Sequence, residues 1–75
     1  MMTNEPQQAK EEWENKGGIE LITLHPFIGE NATELTVEKG KKLQGIASNG
    51  IWYMVKNEDT KETGLIPCSY LQQIN

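Results

Sequence analysis

Ile51-Trp52-Tyr53-Met54-Val55-Lys56, followed by Asn57-Glu58-Asp59-Thr60 and then by Thr63-Gly64-Leu65-Ile66-Pro67, is the stretch on which the fold turns. The first run is dense in aromatic and branched side chains, which suit a pleated, half-buried surface. The polar run after it reads as a hairpin turn. The third run reads as the return strand, halted at Pro67 because proline cannot donate to a ladder. Along an alternating strand Ile51, Tyr53 and Val55 share one face, and Trp52 and Met54 share the other. Ile51, Val55 and Ile66 are the core candidates. Tyr53 is expected to pack on the outer sheet surface, and Trp52 is left on a surface beside Tyr70 and Pro67.

Working upstream, Ser48-Asn49-Gly50 is a turn signal, and Leu43 to Ala47 is a candidate strand before it. Glu34-Leu35-Thr36-Val37 alternates polar and apolar with the period of a half-buried strand, and Gly40 breaks it. Glu20 to Leu24 is an opening strand ended by Pro26. Short strands joined by tight turns, with no helical period, point to an all-β barrel or sandwich.

The first 18 residues differ from the rest. Met1 to Gly18 is polar, with Ala9 and Trp13 its apolar residues after the opening methionines. Pro6 suits a first helical turn, Gln7 to Lys16 are mostly helix formers, Glu12 and Lys16 form an i,i+4 pair, and Gly17-Gly18 would stop the helix. An isolated helix this short is marginal in water, so the segment reads as either a short helix or a linker. Docking of Trp13 on the body would make it part of the domain.

Composition narrows the function. The 75 residues are enough for one domain with a modest core. One cysteine, Cys68, forbids an internal disulfide, and Cys68 with His25, the one histidine, cannot complete a four-ligand zinc site. No metal or cofactor is expected. A free thiol suits a reducing compartment, and neither a leader pattern nor a membrane-length apolar run is present, so the expectation is a cytoplasmic protein without membrane insertion. The formal net charge of −4 argues against nucleic acid, whose binding calls for a basic face. Catalysis lacks its parts: there is no nucleophile–base pair and no glycine-rich phosphate loop opening a helix, and the carboxylates are scattered on turns. The chain reads as non-enzymatic.

From Ile19 to Asn75 the sequence resembles a Src homology 3 (SH3) domain. Thr23-Leu24-His25-Pro26-Phe27 stands where the family has Ala-Leu-Tyr-Asp-Tyr. Glu34-Leu35-Thr36-Val37-Glu38-Lys39-Gly40 resembles its acid-Leu-Ser-Phe-x-x-Gly run, Trp52-Tyr53 its aromatic pair, and Gly64-Leu65-Ile66-Pro67-Cys68-Ser69-Tyr70-Leu71 its closing motif. The resemblance implies a five-stranded barrel with a long RT loop whose tip spans Ile28 to Thr33, a distal hairpin, and a 3-10 turn before the last strand. It departs from the family at His25 for the first groove tyrosine, Pro26 for the following aspartate, and Ser69 for asparagine. Gly45 falls where a core aliphatic belongs; a bulge there, with Ile46 taking the inward position, is the expected remedy.

The resemblance also implies a ligand: a proline-rich segment in the polyproline II conformation, already extended and with its carbonyls free to accept hydrogen bonds. Trp52 offers a broad ring and one indole N–H, and Tyr70 a ring edge and a hydroxyl. Phe27 and Pro67 complete the trough, His25 walls the outermost pocket, Ser69 donates a hydrogen bond, and Glu34, with Glu30 second, faces an arginine or lysine flanking the ligand core. The expected partner is a proline-rich segment of another protein or of the parent chain, bound by a monomeric module with an adaptor role in signalling or cytoskeletal assembly. A structural or autoinhibitory domain with a degenerate groove is the competing reading, favoured by His25, Pro26 and Ser69. A methyl-lysine reader would need an aromatic cage, for which Trp52, Tyr53, Tyr70 and Phe27 are the available rings. Because the recognisable body begins at Ile19, deletion of Met1 to Gly18 is expected to leave the thermal melting transition nearly unchanged; a large drop in Tm would show that the segment belongs to the folded unit.

Overall fold

The structure, a computed structural model, describes residues 12–74. Among them are five strands: β1 (Glu14–Thr23), β2 (Lys42–Ser48), β3 (Trp52–Asn57), β4 (Thr63–Pro67) and β5 (Leu71–Gln73), with a 3-10 turn at Cys68–Tyr70 just before β5. They form one curled antiparallel sheet in the order β4-β3-β2-β1-β5. The hairpin of β3 and β4 pairs as expected. Tyr53 lies opposite Ile66 and Val55 opposite Gly64 across the hairpin, and Leu43 lies opposite both Leu21 and Asn57.

Period-two alternation directs one set of side chains inward. Leu21, Leu35, Val37, Leu43, Val55 and Ile66 are buried together, with Ile19, Phe27, Tyr53, Tyr70 and Leu71 packed around them. Leu43, Val55 and Ile66 are fully sealed from solvent. Each buried aliphatic of this kind contributes about 1.5–3 kcal/mol by leaving water, and in so small a domain few others are available to replace it.

Several sequence expectations need correction. Glu34 to Val37 buries Leu35 and Val37 by alternation but is not a ladder strand. Its backbone joins the sheet at the Glu34↔Leu65 bridge and the facing limb of the loop at the Phe27↔Val37 bridge, because it is itself one limb of the long loop. Ile51 is not core but 71% exposed. Asn49 Oδ1 accepts the backbone N–H groups of both Ile51 and Trp52, which holds Ile51 in the turn and starts the strand at Trp52. Tyr53 is not on the outer surface; it is half-buried against the core. Burial holds its hydroxyl pKa above the ordinary tyrosine value, opposed by Lys16 and reinforced by Cys68 and Glu14.

The tail is also different where it can be seen. The expected helix reaches into the described residues, but Glu14 to Lys16 are strand, with Glu14 opposite Ser48 and Asn15 opposite Ala47. The part of that helix preceding residue 12 lies outside the described residues. Gly17 and Gly18, expected to stop a helix, instead take positive φ and absorb a register shift between Asn15 and Ile19, a bulge that L side chains disfavour.

The bulge expected at Gly45 is present as a register shift between Gly45 and Ala47, but Ile46 does not turn inward and stays exposed. The inward position belongs to the glycine itself. A Cβ at Gly45 would lie 2.7 Å from Tyr53 Cε1 and 2.8 Å from Leu21 Cδ1, so two larger neighbours already fill the space. Gly45→Ala is therefore expected to destabilise the domain by about 1–3 kcal/mol through overpacking, measured by urea unfolding; an unchanged midpoint would show that Tyr53 and Leu21 move aside freely.

Candidate functional site

The long connection from β1 to β2 is pinned to the sheet at several points, and these pins place the candidate side chains. Phe27 and Val37 exchange backbone hydrogen bonds, each 2.9 Å, which zip the two limbs of the loop together. The Leu24 N–H donates to the carbonyl of Tyr70 at 2.7 Å, tying the start of the loop to the 3-10 turn. Trp52 opens β3 directly opposite Pro67. Its N–H donates to Asn49 Oδ1 at 2.7 Å and its carbonyl accepts the Asn49 N–H at 3.1 Å.

These constraints gather four rings into a row. His25 meets Tyr70 at 5.5 Å between centroids, Tyr70 meets Phe27 at 5.5 Å, and Phe27 meets Trp52 at 6.3 Å. The interplanar angles are 78°, 81° and 68°, the edge-to-face arrangement favoured by ring quadrupoles. Near-perpendicular rings form a corrugated surface, with walls and clefts, where a flat stack would offer one plane. Phe27, Trp52, Pro67 and Tyr70 are half-buried and His25 is exposed, so the row is rooted in the domain while its edges reach solvent. Ser69 is exposed in the 3-10 turn between Cys68 and Tyr70.

Glu34 stands apart from the rings. Its bridge to Leu65 lays it along β4, where it lines a separate cleft with Ala32, Thr36, Lys61 and Glu62. Its carboxylate is engaged locally: Oε1 accepts the Glu30 N–H at 2.6 Å, and Oε2 lies 3.5 Å from Asn31 Nδ2. Asn31 Oδ1 in turn accepts the N–H and hydroxyl of Thr33. The tip of the loop is thus cross-braced by its own side chains.

Asn49 was legible in the sequence only as a turn residue. Its capture of two backbone donors is an Asx-type contact, and it fixes where Trp52 emerges. Cys68 is half-buried, with its sulfur 3.3 Å from the Ser48 hydroxyl.

Residues 22–68 match the SH3 domain family. The chain is 36% identical over 58 residues to the SH2/SH3 adapter protein dreadlocks of Drosophila melanogaster, an alignment that covers 73% of this chain and 10% of that protein. It therefore spans about a tenth of the length of the curated relatives it matches. The fold superposes with a TM-score of 0.72 on the C-terminal SH3 domain of myosin IB from Entamoeba histolytica, at 20% identity, covering 80% of this chain and 98% of that one. The yeast Nbp2p SH3 domain, solved in complex with a peptide from Ste20p, superposes with a TM-score of 0.71 at 25% identity, covering 77% of this chain and 88% of that one.

The bracing role of Glu34 has a direct test. Glu34→Ala removes the acceptor for the Glu30 N–H and is expected to speed hydrogen exchange of that amide, whereas Glu34→Gln keeps an acceptor oxygen and should leave it slow. Equal exchange in the two variants would show that the contact does not hold the loop.

Proposed function

The chain belongs to the SH3 domain family, whose members are protein-interaction modules, and we propose that it binds proline-rich peptides in the polyproline II conformation on the row His25–Tyr70–Phe27–Trp52, without catalysing a reaction. The observation that carries this reading is the edge-to-face row itself, continued by Pro67 opposite Trp52. A polyproline II helix presents a ridged surface with three residues per turn, and perpendicular rings supply clefts of matching character. Trp52 contributes the indole N–H, Tyr70 the phenol hydroxyl, and Ser69 a second hydroxyl for the ligand carbonyls. The binding of a Ste20p peptide by the yeast Nbp2p domain supports a peptide ligand.

In this reading Glu34 adds only a modest preference for a basic flanking residue. Both of its oxygens have partners in the loop, and an exposed ion pair is worth about 0.2–1 kcal/mol and weakens with salt. The module serves in recruitment, joining a partner to whatever the parent chain carries. The acidic balance of the chain suits neutral or basic segments as partners.

Trp52 is outside the buried core, so its truncation separates binding from folding. Trp52→Ala is expected to keep the wild-type circular dichroism spectrum while losing roughly thirty-fold in affinity for proline-rich peptides, about 2 kcal/mol, as for a central aromatic anchor. Titration of a peptide panel followed by residue-resolved NMR reads this directly. An unfolded variant would place Trp52 in the core, and a folded variant with undiminished binding would move the groove elsewhere. Failure of the whole panel against the wild-type chain would favour a domain that packs on another protein through a degenerate groove.

A further inference from the structure

The turn between β2 and β3 has a second neighbour besides Trp52. The start of β1 runs along the end of β2, and Glu12, Trp13, Glu14 and Lys16 form one wall of a cleft whose other wall includes Asn49 and Gly50. Trp13 keeps 41% of its surface in contact with solvent. Lys16 is held by Glu14 at 3.3 Å, so with Glu12 the ionisable lining carries a formal charge of −1. Asn49 belongs to both places: it lines this cleft and also clamps the backbone of Trp52. The cleft and the aromatic row therefore meet at one residue.

We propose that this cleft is a subsite for the arginine side chain of a peptide whose proline-rich core lies on the aromatic row. The location of the core rests on the reading above; the cation subsite rests on Trp13 and the carboxylates. A planar guanidinium stacks on an indole face and at the same time donates to carboxylate oxygens, a combination that lysine, a compact point charge, matches less well. An apolar side chain in the same place would have to desolvate the charges of Glu12, Glu14 and Lys16 without returning a hydrogen bond. The reach is consistent. Trp52 in β3 and the start of β1 are separated by β2, two strand spacings or about 10 Å, and a polyproline II ligand advances about 3.1 Å per residue. An arginine about three residues beyond the Trp52 contact arrives at Trp13. Glu34, by contrast, lies on the other side of β3, along β4.

The test uses the full chain and one proline-rich core peptide carrying arginine three residues beyond either end, each compared with its alanine version, and a proline-free tripeptide, acetyl-Gly-Arg-Gly-amide, as a probe of the cation alone. One arginine placement is expected to bind about two- to five-fold tighter than its alanine version at low salt. Trp13→Ala should abolish that gain without weakening the alanine peptide, and Glu12→Gln should reduce it. The tripeptide should shift the Trp13 indole N–H and the Asn49 and Gly50 amides. A gain that survives Trp13→Ala, or the absence of tripeptide shifts at these three groups, overturns the subsite. Tripeptide shifts without binding of any proline-rich peptide would support the cation site and overturn the groove reading instead.

Discussion

One buried hydroxyl holds the root of the long loop, and much else depends on it. Thr23 is 2% exposed. Its Oγ1 donates to the Glu38 carbonyl at 2.6 Å and accepts the Lys41 N–H at 2.8 Å, while its backbone N–H and carbonyl pair with Lys41 and Gly40. A buried polar side chain left without partners costs about 1–3 kcal/mol; here every polar group of the residue is engaged in closing the two ends of the loop. That loop supplies Leu35 and Val37 to the core and Phe27 to the ring row. In a domain this small, stability and the candidate binding surface are thus joined through the same connection.

The row of rings gains its stiffness from backbone more than from side-chain burial. Phe27 is fixed by its paired bonds to Val37, Tyr70 by the Leu24 amide, and Trp52 by Asn49 and by its place opposite Pro67. Side chains already restrained in the free domain lose less rotamer freedom when a ligand arrives, which leaves more of the contact energy as affinity. An extended proline-rich segment shares that advantage from its own side, since its backbone is restrained before binding.

The same packing economy explains the least expected feature of the interior. Gly45 occupies an inward position without a side chain, and its place is taken by Tyr53 and Leu21. Tyr53 is thereby drawn beneath the start of β1, within the electrostatic reach of Lys16 and Glu14. A missing aliphatic in one strand is offset by an aromatic from the next, while the N-terminal extension of β1 pairs with the end of β2 beside the β2–β3 turn.

Alternation in Ile51 to Lys56, the turn signals at Ser48 to Gly50 and Asn57 to Thr60, and the ending from Gly64 to Leu71 were enough to determine an all-β domain, its hairpins and the inward places of Val55 and Ile66. Those features are local, since a period of two and a turn residue act within a few positions. The identities of the candidate ring residues were legible too, through the resemblance of four ordered motifs. Only the tertiary structure decided that Ile51 is exposed, that Tyr53 packs inward, that Gly45 and not Ile46 faces the core, and that Glu14 to Lys16 extend a strand. Ile51 is held out by its near neighbour Asn49, but the other outcomes depend on residues distant in sequence: Leu21 and Tyr53 fill the space at Gly45, and Ser48 and Ala47 supply the partners that make strand of a segment with helical propensity. Local propensity differs between such alternatives by at most about 1 kcal/mol per residue, so cross-strand pairing and the filling of a close-packed interior set the result.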